Sequence, residues 1–450
     1  MFAGFSLRTA LTALLVLGTA TSSVLASDPC VPRDEDKDWV TVWGAMPQLT
    51  EPHNLPPVPF NETGRVFHDS TIRQTVKASL ATSTLRLEIS NAFGGSDLPI
   101  TAVSVALPVD PSRAGGSAIQ PNTAQEVTFS GSRSIIVPQG ALVLSDPIDI
   151  AVESESILAI SIYLADGQTT NDLTSHPGSR TTSWLVHGNH VADADFNNAT
   201  PSDHWYLISA LEAPLNTPGA DEEAATIAII GDSLTDGRGS TTNANNRWPD
   251  QLLARLNADN NATTSARRPA IAILNQGAGG NRVLADGLGP NAMARIDRDV
   301  LSHPGVRYVL FFIGVNDIGT AAAEPGPQAV VGDRLAQAFH QMATRLRRHG
   351  LAVFGATLTP MSGPGQAYGH PEREKTRQGL NEWIRAAEGT VFDAVVDFDA
   401  MVRDPENPET LAPPYNEGDH LHLSPRGYQA MADGFDLELF ARFAGAGRRF

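Results

Sequence analysis

The sequence predicts an all-β sandwich in its first half and a three-layer α/β/α domain with a five-stranded parallel sheet in its second. Three observations lead there. Short apolar–polar alternations crowd residues 71–211, and apolar strands alternate with amphipathic helices after residue 220. The 450 residues also exceed one ordinary core of roughly 150 residues.

Residues 1–26 carry Arg8, an apolar run from Ala10 to about Ala20, and Val24-Leu25-Ala26, the layout of a secretory signal peptide. The run is shorter than the ~20 residues a spanning helix needs, and no later stretch is long and apolar enough. The expectation is an exported chain beginning near Ser27, with no integral membrane association. Cys30 is the single cysteine, which excludes an intramolecular disulfide framework and any Cys-rich zinc or iron–sulfur site. Asn61, Asn198 and Asn261 open Asn-x-Thr sequons, acceptors in a glycosylating host. Lys+Arg number 32 against 50 Asp+Glu, a net charge of −18, which argues against nucleic acid or an anionic bilayer as partner.

In residues 27–218, Leu85, Leu87 and Ile89 alternate with Thr84, Arg86, Glu88 and Ser90, the period of a half-buried strand. The same pattern recurs at Val103-Val105-Leu107, Ile148-Ile150-Val152 and Leu158-Ile160-Ile162-Leu164. Gly94-Gly95, Gly115-Gly116, Pro138-Gln139-Gly140 and Asp166-Gly167 separate the runs. Many strands, frequent turns and no convincing helix read as a β-sandwich. Trp184 and Trp205 suit a core role better than sugar stacking. Asn216-Thr217-Pro218-Gly219 reads as the linker.

In residues 219–450, strands are expected at Ile227–Ile230, Ala270–Leu274, Val309–Ile313, Leu351–Leu358 and Val395–Phe398. Helices are expected from Trp248 to Leu256, along Val331, Leu335, Ala338, Phe339, Met342 and Leu346, and from Tyr428 to Phe443. Arg345, Arg347 and Arg348 crowd the C-terminus of the long helix, where its dipole favours cations. Such alternation makes a parallel sheet covered on both faces, with ligands beyond its carboxyl edge.

Four strand ends carry or lead to polar chemistry: Gly231-Asp232-Ser233-Leu234, then Asn275-Gln276-Gly277-Ala278-Gly279-Gly280-Asn281-Arg282, then Gly314-Val315-Asn316-Asp317, and, after a Pro-rich loop beyond the fifth strand, Asp419-His420-Leu421-His422. A serine hydroxyl needs a base at about 2.6–3.2 Å. His422 can exchange protons near neutrality, and Asp419, three residues earlier, would share its side on one helical turn. Asn316 offers an amide and Gly280 a closely approaching backbone to an oxyanion. Each feature has a plainer reading. Ser233 could cap a helix, the glycines could form any tight turn, and Asn316-Asp317 could be a turn pair. Asp419, His420 and His422 could bind a metal, although further ligands are not evident nearby. Asp232 and Asp236 could support the nucleophile, or serve only in capping and solvation; Asn281 and Asp317 are further candidates for such support. Ser233 is not in a Gly-x-Ser-x-Gly elbow, since Thr235 stands at the second glycine's place. Jointly, in order and at strand ends, the plain readings lose ground.

These four blocks, within residues 227–436, resemble the SGNH-type (GDSL-motif) hydrolases. The resemblance implies Ser233 as nucleophile, Asp419 and His422 as its partners, and Ser233 N–H, Gly280 and Asn316 as the oxyanion hole. Gly279 stands where a serine or alanine is commoner. Ser90-Asn91-Ala92-Phe93-Gly94 resembles the β-domain of an extracellular subgroup. The expectation is a secreted, by default monomeric, serine esterase acting on a small-molecule or glycan ester (acetylated carbohydrate, short-chain or lipid esters) through an acyl-enzyme on Ser233, with no cofactor or metal. A carbohydrate-binding or adhesion protein with a structural hydrolase domain, and an acyltransferase using the same triad, are the alternatives. The Gly/Pro-rich segment from Met361 to His370 reads as a surface loop.

Overall fold

The computed structural model describes residues 38–215, 224–260 and 269–447. The expected signal peptide, Cys30, the Asn216–Gly219 linker and the Asn261 sequon lie outside them. Asn61 is partly exposed and Asn198 exposed.

The first half is antiparallel throughout. One sheet orders the strands Trp39–Gly44, Ile208–Pro214, Thr82–Ser90 and Ile148–Val152, with Leu142–Leu144 also paired to Thr82–Ser90. A six-stranded sheet centres on Ser70–Lys77 and Ile157–Leu164. The alternating side chains of both sheets meet in one apolar core: Leu85, Leu87 and Ile89 from the first, Ile72, Val103, Val105, Ile160 and Ile162 from the second. That is sandwich packing, and it follows from the period-2 pattern because only one face of each strand is apolar. Trp205 is buried edge-on against Trp43, and its indole N–H donates to Thr75 O (3.1 Å). Trp184 donates to Gly115 O (2.8 Å).

The second half contains five parallel strands. In chain order they are Ala225–Gly231, Ile271–Gly277, Val306–Phe312, Ala352–Ala356 and Ala394–Val396. In space the second lies first, then the first, third, fourth and fifth. The order therefore reverses at the first strand, and at such a switch point the connections leave to opposite faces and open a crevice. Both faces are covered, so the first and third strands are buried along their whole length. The edge strand Ile271–Gly277 is sealed by the antiparallel half. Ala45 bridges Asn275, Ile273 N–H donates to Ser79 Oγ (3.1 Å), and nearby Thr226 Oγ donates to Thr41 O (2.8 Å). Unpaired edges invite foreign strands, and this contact removes the liability.

Three local expectations need correction. The closing helix is two helices, Pro425–Gly434 and Glu438–Arg442, because Phe435 turns extended and Asp436 Oδ1 caps Glu438 N–H (3.0 Å). A helix at Pro371–Ala386 was not anticipated. Its buried face mixes Glu374, Arg377 and Asn381 with Leu380 and Ile384, so the first half has no apolar stripe. Arg377 is instead held by Glu374 (2.6 Å) and Asp399 (2.6 Å). Residues 416–424 are bends and bridges, so Asp419 and His422 do not share a helical turn.

Candidate active site

Ser233 begins a single helical turn, Ser233–Asp236, directly beyond the first parallel strand. Asp232 caps the turn, its Oδ1 accepting from Leu234 N–H (3.0 Å). Ser233 Oγ lies 2.8 Å from His422 Nε2, and His422 Nδ1 lies 2.6 Å from Asp419 Oδ2. A carboxylate only accepts, so the Nδ1 proton goes to Asp419 and Nε2 is left to accept the serine proton. Asp419 also builds the bend that presents the imidazole: its Oδ1 accepts from Leu421 N–H (3.0 Å) and His422 N–H (2.8 Å). Both Ser233 and His422 are buried.

The electrostatics follow from these contacts. Burial pushes the His422 imidazole below its ordinary value against the opposing bond and charge of Asp419, which favours the neutral base. Burial would raise Asp419, but the His422 backbone and ring, the charge of His422 and the Leu421 N–H hold it at about 2. Asp232 is fully buried and is pushed up to about 7 by that burial, aided by the charges of Asp317 and Asp236 and opposed by N–H groups of Leu234 and Gly314.

Gly280 sits in a turn after the second strand at φ +69°. That backbone region favours glycine, and a Cβ there would also displace the exposed Leu288 side chain, 2.5 Å away at Cδ1. Neither its N–H nor that of Ser233 bonds an acceptor among the described residues. Asn316 starts the short helix Val315–Thr320 after the third strand, and its Nδ2 donates to Asn281 O (3.0 Å). The amide thus retains a second N–H. Asn281 braces the same turn, donating to Leu288 O (3.0 Å) and Pro290 O (2.9 Å). Asp317 accepts from Val283 N–H and Leu284 N–H, each at 2.9 Å, and burial raises its carboxyl despite both bonds.

Every singled-out residue therefore falls on the carboxyl side of the sheet, and Asp232 and Asp236 are buried supports, not solvated surface. His420 takes φ +62°, and its Nδ1 faces Asn416 Nδ2 (2.9 Å), apart from the Ser233–His422–Asp419 line. Among the described residues, no group of three or more His, Cys, Asp or Glu could hold a metal ion.

Three contributors carry no sequence signal. Arg295 is buried and ties Gln276 O, Gly231 O and Asn281 Oδ1, bracing the ends of the first two strands. Tyr368, in the Met361–His370 loop, donates its hydroxyl to Asn316 Oδ1 (3.1 Å). His176, from the antiparallel half, reaches Asp236 Oδ1 (2.9 Å). Their partners lie tens of residues away, so no local spacing reveals them.

A hydroxyl, a neutral imidazole, a charged carboxylate and unengaged N–H donors, at the switch point of a parallel sheet, make a serine-type carboxylic ester hydrolase. Residues 229–430 match the model of the GDSL-like Lipase/Acylhydrolase family, and the chain carries that family's domain. A carbohydrate acetylesterase family member from Sinorhizobium meliloti is 19% identical, with 48% of this chain and 97% of that chain covered and a TM-score of 0.36. A lipase/acylhydrolase from Enterococcus faecalis is 20% identical, covering 48% and 96%, with a TM-score of 0.36. A GDSL-like lipase from Bacteroides thetaiotaomicron is 18% identical, covering 46% and 84%, with a TM-score of 0.33. No curated protein matches the chain.

Proposed function

We propose that the chain is a secreted serine esterase that hydrolyses carboxylic esters: acetylated carbohydrate, short-chain or lipid esters. The observation that carries this reading is the continuous line Ser233 Oγ–His422 Nε2–Asp419, with contacts of 2.8 and 2.6 Å. Ser233 Oγ attacks the ester carbonyl while His422 takes its proton. The oxyanion is met by the N–H groups of Ser233 and Gly280 and by the remaining amide N–H of Asn316. Donors of this kind are each worth about 2.7–4 kcal/mol in a transition state. His422 then protonates the leaving alcohol, and an acyl-enzyme remains on Ser233. Water, deprotonated by the same imidazole, releases the acid and restores the serine. Asp419 stays charged throughout and steadies the imidazolium. Export rests on residues 1–26, and a carbohydrate-linked substrate suits an exported acylhydrolase that carries a large antiparallel partner.

The test is a chain-length series of p-nitrophenyl esters together with acetylated sugars, on the parent protein and on Ser233→Ala. Turnover should fall by several orders of magnitude in the variant. Equal turnover in both proteins would sink the esterase reading. A rate that depends on an added alcohol acceptor would indicate acyl transfer instead of hydrolysis.

A further inference from the structure

The turn that carries the nucleophile has only four residues, Ser233–Asp236, too few for a helix to hold its own shape in water. Its orientation must come from outside. At its start, Asp232 supplies a cap. At its end, the Asp236 side chain is buried against the antiparallel half, where His176 Nε2 lies 2.9 Å from Asp236 Oδ1 and both side chains are almost wholly buried.

His176 is fixed from several directions. Its short strand Thr174–His176 pairs with Trp205–Tyr206 on one side and Gln48–Leu49 on the other. The imidazole stacks on Trp205 with centroids 5.8 Å apart, and Nδ1 lies 3.0 Å from Met46 O. A carbonyl and a carboxylate both accept, so one proton sits on Nδ1 and another lies between Nε2 and Asp236. The imidazole has no freedom to flip without losing a bond to a buried acceptor.

Asp236 in turn touches the oxyanion turn. A Cβ on Gly277 would lie 2.6 Å from Asp236 N, and one on Gly279 would lie 3.7 Å from Asp236 Oδ2. A Cβ on Gly178, two residues after the histidine, would lie 1.8 Å from that same oxygen, so the 176–178 segment packs directly on the carboxylate. Arg247 completes the clamp, its Nε donating to Asp236 O (2.8 Å) and its Nη2 to Ser179 O.

We propose that His176 is a positioning residue for the ester hydrolysis: through Asp236 it sets the pitch of the Ser233–Asp236 turn and its fit against the Gly277–Gly280 turn. The antiparallel half is thereby part of the catalytic apparatus without touching substrate. This inference rests on the esterase reading above.

The two amide replacements of His176 separate its two bonds. In His176→Gln the amide nitrogen reaches the place of Nε2, toward Asp236; in His176→Asn it reaches the place of Nδ1, toward Met46 O. With the full chain and p-nitrophenyl acetate, His176→Asn should lower kcat about tenfold or more with KM changed less than about twofold. His176→Gln should return kcat to within about threefold of the parent. Equal kcat losses in the two variants, or parent-like kcat in both, would overturn the proposal. If His176→Asn does not fold, Asp236→Asn and Asp236→Ala give the second reading. The first keeps an acceptor oxygen for Nε2–H and should hold kcat; the second removes it and should lose about tenfold or more. Equal losses there also overturn it. A parent protein whose turnover does not depend on Ser233 would overturn the esterase reading and this proposal with it. A Ser233-dependent parent with indistinguishable variants overturns this proposal alone.

Discussion

In the proposed mechanism Asn316 presents an N–H to an oxyanion, yet its amide could sit either way round in its socket. Two bonds decide which. The Tyr368 hydroxyl donates to Oδ1 (3.1 Å), and Nδ2 donates to Asn281 O (3.0 Å), so the remaining N–H has a fixed direction. Flipping the amide would set its oxygen against the Asn281 carbonyl, acceptor against acceptor, within a buried site. The Tyr368 ring also packs on Gly319, where a Cβ would lie 2.4 Å from it, so Tyr368→Phe removes the hydroxyl and keeps the packing. We expect this variant to lose about tenfold in kcat, or about 1.4 kcal/mol, with KM nearly unchanged. Steady-state kinetics on one ester decides it, since a raised KM at constant kcat would mean the hydroxyl serves substrate binding instead. Tyr368 escaped the sequence reading because its loop is plain Gly/Pro-rich chain and its partner lies 52 residues away.

Among the elements, the bend at residues 416–424 shows how an i, i+3 spacing can be read correctly for proximity and wrongly for conformation. Asp419 and His422 do meet, but through Asp419 accepting backbone N–H groups, with Gly418 at φ +126° and His420 at φ +62° breaking any helix. The Met361–His370 loop braces this bend. Gln366 Nε2 donates to Asp419 O (2.5 Å), and a Cβ on Gly363 would lie 2.2 Å from His420 Cγ. Gly363→Ala should therefore push the bend and the Asp419–His422 contact out of line, lowering kcat several-fold. Gly379→Ala, in open space on the Pro371–Ala386 helix, is the control and should leave kcat unchanged. Matching rates in the two variants would show that the loop does not brace the bend.

Across the whole molecule, residues 38–450 form one compact unit, and stability couples to the charges buried in it. Asp232 is the sharpest case: it is fully buried, and its pKa is raised from 3.8 to about 7. Between these values the folded state binds a proton that the unfolded state has released. The contribution of Asp232 is therefore most favourable below about pH 4 and declines as pH rises through 7, by on the order of 4 kcal/mol at full ionisation. Asp232→Asn keeps the capping oxygen and cannot ionise. Its Tm relative to the parent should accordingly climb between pH 4 and pH 8; parallel Tm profiles would rule out Asp232 as the source.

The sequence by itself determined the alternation of five apolar strands with helices, the strand-end positions of Ser233, Gly280 and Asn316, and the pairing of Asp419 with His422. These features are written in local periodicity and in the turn chemistry that follows each strand, which need no knowledge of distant residues. The helix Pro371–Ala386 is hidden because the Glu374–Arg377–Asp399 ion pairs take the place of an apolar stripe in its first half. Only the tertiary structure decided which groups hold the reacting ones in line. His176 meets Asp236 across 60 residues, and Tyr368 meets Asn316 across 52. Such pairs are made when whole sheets and loops pack, and packing acts between surfaces that one-dimensional spacing does not record.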